Sequence, residues 1–269
     1  MTAPDEGTFT PRPGAAPLPR MIAAQAALET RLLLRHGEQL LLTVVIPTLV
    51  LVLFGTLHIV DLPAGTAADG GDAAARVDYL APGVLALAVL STAFTGQAIA
   101  TGFERRYGVL KRLGASPLPR WALMAAKSGA VLVTEALQIT LLCAVALALG
   151  WSPAGSAAAA AALVLLGTAA LSGLGLLMAG TLRAEATLAA ANLVFVLLLF
   201  GGGVVVPLST FPTPLTAVLE LTPVAALSDG LRQVLQDGSG TGTPWGDLAV
   251  LAVWAVLGLG AAARFFRWE

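Results

Sequence analysis

The 269-residue chain has few charged residues, one cysteine and two lysines. Asp, Glu, Lys and Arg make up 12% of it, against about 25% in an ordinary soluble domain, and hydrophobic residues make up 57%. This composition excludes an ordinary soluble domain. The net charge of −1 provides no basic field, which argues against nucleic acid as a partner. The single Cys143 excludes an internal disulfide and a cysteine metal cluster, and we expect it to pack inside a helix.

The sequence also lacks the motifs of an ATP-hydrolysing or otherwise catalytic chain. No Gly-x-x-x-x-Gly-Lys-Ser/Thr loop is present, and neither Lys111 nor Lys127 follows such a loop. His36 and His58 fall at opposite ends of the first long apolar run, so they predict no metal site. No Ser/His/Asp triad or pair of catalytic carboxylates can be recognised. We therefore expect no catalytic residue, no metal and no cofactor in this chain.

Six apolar runs are long enough to cross a bilayer, which needs about 20 residues of helix. Because backbone groups in lipid must be paired within the segment, we expect an all-α integral membrane fold. Residues 18–269 would then form one transmembrane domain with six spans. The predicted spans cover residues 40–60, 79–101, 128–150, 157–182, 188–206 and 245–264.

The segment before the first span predicts a disordered tail and then an amphipathic helix. Residues 1–17 are rich in Pro, Thr and Gly, and no short apolar core of a signal peptide follows them. Within residues 18–37, Arg20 and Arg31 fall on one sector of a 3.6-residue period and Leu28 falls across from it. This pattern is typical of a helix that lies at the membrane interface. The alternative is a cytoplasmic extension of the first span.

Basic residues alternate between the connecting segments, and this alternation predicts the orientation. The N-terminal segment, the loops after the second and fourth spans, and the C-terminal tail carry most of the cations. The positive-inside rule therefore places both termini in the cytoplasm. Residues 207–244 form a long outer connection whose apolar stretches, 215–219 and 224–227, lie between prolines and are too short to span. We expect short interfacial or re-entrant helices there.

A charged segment, residues 102–120, separates the second and third spans. It carries five of the chain's fifteen Lys and Arg residues together with Glu104. If residues 103–113 form one helix, Phe103, Tyr107 and Leu110 share an apolar face, and the basic side chains share another. The residues alone leave two interpretations open. The segment is either a signal that keeps this loop in the cytoplasm or a docking surface for a soluble partner.

Polar residues inside the predicted spans are candidates for a functional cavity. Glu135 lies deep in the third span and Gln138 follows three residues later on a similar face. An ionisable group at membrane depth is costly and is a functional candidate by default. The two side chains either line a cavity for a polar or cationic substrate or fix helix packing through hydrogen bonds. Asn192 in the fifth span is a third candidate for the cavity, with an interhelical hydrogen bond as its alternative role.

The stretch Glu104-Arg-Arg-Tyr-Gly-Val-Leu-Lys-Arg-Leu-Gly-Ala-Ser-Pro-Leu118 resembles the loop after the second span of ABC-2-type permeases, the membrane subunits of ABC exporters. The outer connection is similar to the same family at Pro207-Leu-Ser-Thr-Phe-Pro212, at Leu221-Thr-Pro223 and around Gly230-Leu-Arg232. The segment from Arg35-His-Gly-Glu-Gln to Ile46-Pro47 resembles the beginning of the family's first span. The resemblance covers nearly the whole chain and looks closest to the drug- and antibiotic-resistance branch.

The resemblance implies that the charged segment holds a coupling helix that docks onto an ABC ATP-binding subunit. The docking residues it implies are Phe103, Glu104, Arg105, Arg106, Tyr107, Leu110, Lys111 and Arg112. ATP and Mg²⁺ would belong to that partner, and a second permease copy or a paralogue would complete the transporter around a central cavity.

On this reading the chain is a multi-pass protein of the plasma or inner membrane, in contact with lipid, and exports a hydrophobic or amphiphilic compound. The alternative is a stand-alone secondary transporter or channel, for which only Glu135 offers an ionisable group inside a span.

Overall fold

The computed structural model describes residues 14, 16–35, 37–57, 73–204, 208, 212–236 and 243–266, and within them it is helical with no β-strand. Most of the predicted tail, residues 1–13 and 15, lies outside the described residues. The first half comprises α1 (Leu18–Arg35), α2 (Gly37–Thr56), α3 (Ala73–Val89), a π-helix (Leu90–Gly96), α4 (Gln97–Arg106) and α5 (Val109–Gly114). The second half comprises α6 (Arg120–Ala148), α7 (Ala157–Thr181), α8 (Ala184–Gly201), α9 (Thr213–Leu219), α10 (Pro223–Gln236) and α11 (Trp245–Phe265).

Five helices are long and apolar enough to cross a membrane, and they correspond to the predicted second to sixth spans. The second predicted span is longer than expected, since its helix runs unbroken over Ala73–Arg106. Arg76, inside this span, is buried, and its Nη2 donates to the carbonyl oxygen of Leu57 at 3.2 Å. The predicted first span corresponds to α2, whose described apolar part, Thr43–Thr56, is shorter than a full span. The predicted first span, and with it the count of six, therefore stays a prediction, and residues 58–60 of that span lie outside the described part.

The second span forms the centre of the bundle, and its middle is π-helical. It is the most buried of the five spans, and every residue from Ala81 to Leu90 is buried. The π-helix brings Phe94 against α7, where a side chain at Gly175 would place its Cβ 2.8 Å from the Phe94 carbonyl oxygen. Glycine at position 175 thus allows the two backbones to approach closely, as small residues do in membrane helices. π-helical turns occur mostly as single interruptions of α-helices.

The short helices predicted in the outer connection are present as α9 and α10. The helix α10 begins at Pro223, as proline favours the first helical turn, and it is buried between α3, α7 and α11. Arg232 joins α10 to two other parts of the chain. Its guanidinium lies 5.3 Å from the ring centre of Tyr79 in the second span, and its Nη2 donates to the carbonyl oxygen of Val204, which follows α8, at 3.2 Å. The Nη1 of Arg232 also donates to Asp229 at 3.2 Å. The helix α10 is therefore part of the core, whereas α9 is largely exposed.

The predicted N-terminal helix is present as α1 and packs mainly on α6. Its exposed surface includes the cations Arg20 and Arg31 as well as the apolar Leu28 and Leu32. The only fully buried residue of this helix is the acidic Glu29. The leucines therefore face away from the bundle, as in a helix that rests in lipid, and the face against the bundle is polar at its centre.

Candidate functional site

The charged segment begins as a continuation of the second span and then breaks. The helix α4 ends at Arg106, Tyr107 follows it, and Gly108 adopts φ 70°, a left-handed conformation that favours glycine. A new helix, α5, then covers Val109–Gly114. The expected single helix over residues 103–113 is therefore wrong, because the left-handed backbone at Gly108 turns the chain between its two halves.

The tip of the charged segment is anchored by Leu110. This side chain is 0% exposed and packs with Leu123, Met124, Leu176 and Phe266 in a small cluster apart from the main core. The sequence placed Leu110 on the docking face with Tyr107, but the structure separates the two. Tyr107 is 68% exposed and stacks on Phe103, with the ring centres 6.2 Å apart.

The basic side chains of the segment divide into two groups. Arg105 donates to the carbonyl oxygen of Leu182, and Arg106 pairs with Glu185, so both fasten the end of α4 to the turn between α7 and α8. Lys111 and Arg112 are exposed on α5. The first pair makes contacts within the chain, although the Arg106 side chain remains about half exposed. The second pair makes no such contact within the described part of the chain and faces outward, where a partner could reach it.

Glu104 takes part in a buried ion network instead of lying on the surface. Lys127 Nζ lies 2.6 Å from Glu104 Oε2 and 3.0 Å from Glu29. The Lys127 side chain is 5% exposed and therefore lies inside the bundle. Gln25 Nε2 donates to Glu29 Oε1 at 2.8 Å and orients that carboxylate. This network, which we call the Lys127 triad, joins α1, α4 and α6.

A cavity of about 50 Å³ lies beside the Lys127 triad. It is lined by the triad and by Gln97, Thr101 and Thr134, among others. Gln97 Oε1 accepts from Ser172 at 2.8 Å, while Gln97 Nε2 is buried and has no partner among the described residues. The exposed wall of this cavity is mostly apolar, and its polar lining residues include those of the triad. A cavity of this size has room for a water, which needs two to four polar partners.

Sequence analysis did not identify Glu29 as a functional residue. Glu29 and Lys127 stand 98 positions apart, so no local spacing links them. One signal was available, since Glu29 is the only acidic residue in the α1 sequence. A lone carboxylate in a helix that carries three arginines is a candidate for a partner elsewhere in the fold.

The structure separates the three cavity candidates. Glu135 and Gln138 are both 1% exposed and lie inside the bundle. The Thr168 hydroxyl donates to Glu135 Oε2 at 2.5 Å, whereas Glu135 Oε1 has no partner within the described chain. Gln138 accepts from Thr92 at 2.8 Å. Each of the two side chains thus forms a hydrogen bond between helices, and a role in lining a transport cavity stays a prediction.

Asn192 differs from the other two candidates because its side chain is exposed on α8. Its Nδ2 donates to the Leu188 carbonyl oxygen of its own helix at 2.9 Å. The helix α8 is the least buried of the five spans. Asn192 therefore presents a polar group on the outer surface of an apolar span.

A family model described as ABC-2 type transporter matches residues 23–235. The chain belongs to the ABC-2 type transporter family. No curated protein matches the chain. As an ABC-2 permease with five apolar spanning helices, it is a multi-pass membrane protein. Permeases of this family generally work with an ATP-binding subunit, and the charged segment lies within the matched region.

Proposed function

We propose that the chain is the membrane subunit of an ATP-driven exporter, powered by a separate ATP-binding subunit that docks on the exposed part of the charged segment. The observation that carries this proposal is the division of the segment into an anchored and an exposed side. Leu110 anchors α5 in the small cluster with Leu123 and Met124, while Tyr107, Lys111 and Arg112 are exposed. A partner bound to this surface would move α5 together with the part of the bundle on which α5 packs.

The docking surface that the structure supports is smaller than the one the sequence suggested. Glu104 and Leu110 face the interior, and Arg105 and Arg106 hold the α7–α8 turn. The remaining surface combines an aromatic ring with two cations. The two cations suit an acidic cleft on the partner, because interfaces pair complementary charges. Tyr and Arg are also enriched in the central contacts of protein interfaces.

Movement of α5 would reach the spans through the continuity of the chain. The helix α5 follows α4 after one turn, and α4 is continuous with the π-helix and α3. A displacement of α5 would therefore act on the central and most buried span. Lid and domain movements limit the turnover of many enzymes.

A second permease copy, identical or paralogous, would cover α8 and complete the central cavity. An amide exposed to lipid is unfavourable, and polar side chains in membrane spans commonly bond to a neighbouring helix. Asn192 lies on the exposed face of α8 beside the apolar Leu193 and Val196. The full subunit would have six spans with both termini in the cytoplasm, in the plasma or inner membrane. Its cargo would be hydrophobic or amphiphilic, and its ATP and Mg²⁺ would be held by the partner.

The proposal is tested by charge reversal on the exposed surface. The chain is co-expressed with a candidate ATP-binding subunit, and the variant Lys111→Glu/Arg112→Glu is compared with Arg31→Glu/Arg35→Glu, which reverses two exposed cations on α1. We expect the first variant to lose co-purification of the partner and ATP-dependent export, and the control to retain both. Equal effects of the two variants would count against docking at α5.

The same preparation separates the exporter from a stand-alone secondary transporter or channel. Transport into inverted vesicles is measured with ATP and, separately, with an imposed proton gradient. An exporter requires ATP and the partner subunit. Transport by the chain alone, driven by the gradient, would support the alternative.

A further inference from the structure

We infer that Glu29 is a positioning residue that competes with Glu104 for Lys127, so that α1 sets how firmly the charged segment is held. The inference rests on the proposed function, because it assigns a role to the same segment. Its starting observation is that one buried ammonium group contacts two carboxylates from different helices, Glu29 of α1 and Glu104 of α4.

On the α1 side, the burial and orientation of Glu29 in the Lys127 triad suit this role. Glu29 is the only residue of α1 that is fully buried. Gln25 lies one turn before it and donates to Glu29 Oε1 at 2.8 Å, which holds the carboxylate towards Lys127. The α1 helix therefore contributes one buried and oriented charge, while its apolar side chains Met21, Ile22 and Leu33 are half-buried.

Sharing one cation between two anions makes the departure of one of them easier. A buried ammonium without a partner is strongly unfavourable, so a lysine with a single carboxylate holds it tightly. Lys127 keeps Glu29 as a partner when Glu104 moves away, and the two carboxylates also repel each other. The adjoining cavity of about 50 Å³ offers space for water at the vacated position, with Gln97 Nε2 as a free donor.

The two carboxylates therefore have opposite effects on the charged segment. Without the Glu29 charge, Lys127 pairs with Glu104 alone, and the charged segment is held more tightly. Without the Glu104 charge, Lys127 pairs with Glu29 alone, and the charged segment loses this contact. A merely structural role for Glu29 predicts the opposite, because its loss would then loosen the region.

The first experiment uses the full chain in lipid nanodiscs without any ATPase and measures amide hydrogen exchange in residues 109–114. We expect Glu29→Gln to slow exchange by about tenfold, which corresponds to about 1.4 kcal/mol, and Glu104→Gln to accelerate it. Arg31→Gln removes an exposed charge from α1 and should leave exchange unchanged. Faster exchange, or no change, in Glu29→Gln would overturn the inference.

The second experiment measures ATP turnover in the complex with the ATP-binding subunit. We expect Glu29→Gln to lower kcat and to leave the KM for ATP unchanged, because the contact acts on the movement of α5 and not on nucleotide binding. Glu29→Asp should restore kcat in part, since it keeps the charge. Unchanged kcat, or no rescue, would contradict the inference.

A fallback variant covers the case in which Glu29→Gln does not fold. Gln25→Leu leaves both carboxylates in place and removes only the group that orients Glu29, so it should slow exchange to a smaller extent. An unchanged or faster rate in this variant would equally overturn the inference. Because the exchange measurement needs no partner, it can succeed or fail independently of docking on the ATP-binding subunit.

Discussion

Leu110 and Tyr107 lie three residues apart in the charged segment, and we expect their alanine variants to show defects in different assays. Leu110 is fully buried, and truncating a buried leucine to alanine costs about 2.7–5 kcal/mol, as lost transfer energy plus the cavity that remains. Tyr107 is mostly exposed, and an exposed substitution typically changes stability by less than about 0.5 kcal/mol.

The assays for this pair are thermal unfolding of the chain alone in nanodiscs and co-purification of the ATP-binding subunit. Leu110→Ala should lower the unfolding midpoint by several degrees, whereas Tyr107→Ala should unfold like the parent protein but retain less partner. Leu113, which is partly buried against the same cluster, provides an intermediate control as Leu113→Ala. A stable Leu110→Ala variant that loses the partner would refute the division into anchored and exposed sides.

Three further predictions concern the rest of the bundle. Gly173→Ala would place a Cβ 2.6 Å from the backbone of α11, and we expect it to destabilise the protein by about 1–3 kcal/mol; Gly246→Ala, with open space around it, is the control in thermal unfolding. Arg232→Lys removes the planar group that lies over Tyr79 and should increase proteolysis around α10. Burial raises the pKa of Asp229 although Arg232 opposes this, so the folded protein binds the proton more tightly. The contribution of Asp229 to stability is present at acidic pH and is lost as pH rises through its pKa in the folded protein. We expect Asp229→Asn to weaken the pH dependence of the unfolding midpoint between acidic and neutral pH.

Much of the helical layout could be predicted from the sequence because apolar runs of span length have few other stable structures in lipid. The predicted span over residues 157–182 is observed as Ala157–Thr181, and that over residues 245–264 as Trp245–Phe265. The prolines around 207–223 indicated short helices in the outer connection, and α10 begins at Pro223.

The candidate site was harder to predict because it depends on backbone conformation and on distant contacts. Helical periodicity placed Leu110 on the same face as Tyr107, but that argument fails once Gly108 takes a left-handed conformation. The pairing of Lys127 with Glu29 joins helices that are distant in sequence, and hydropathy carries no information about such a pair. Charge alone also could not separate Arg105, which binds a carbonyl inside the chain, from the exposed Lys111.

The π-helix at Leu90–Gly96 has a consequence for the angular register of the second span. An α-helix turns by about 100° for each residue, and a π-helical turn advances less, so the part after it is rotated relative to an uninterrupted α-helix. Tyr79 before the turn faces Arg232, and Glu104 after it faces Lys127. Deleting one residue within this turn would swing Glu104 away from Lys127 by roughly a quarter of a revolution. The π-helical turn therefore sets the rotational offset between the two ends of the span.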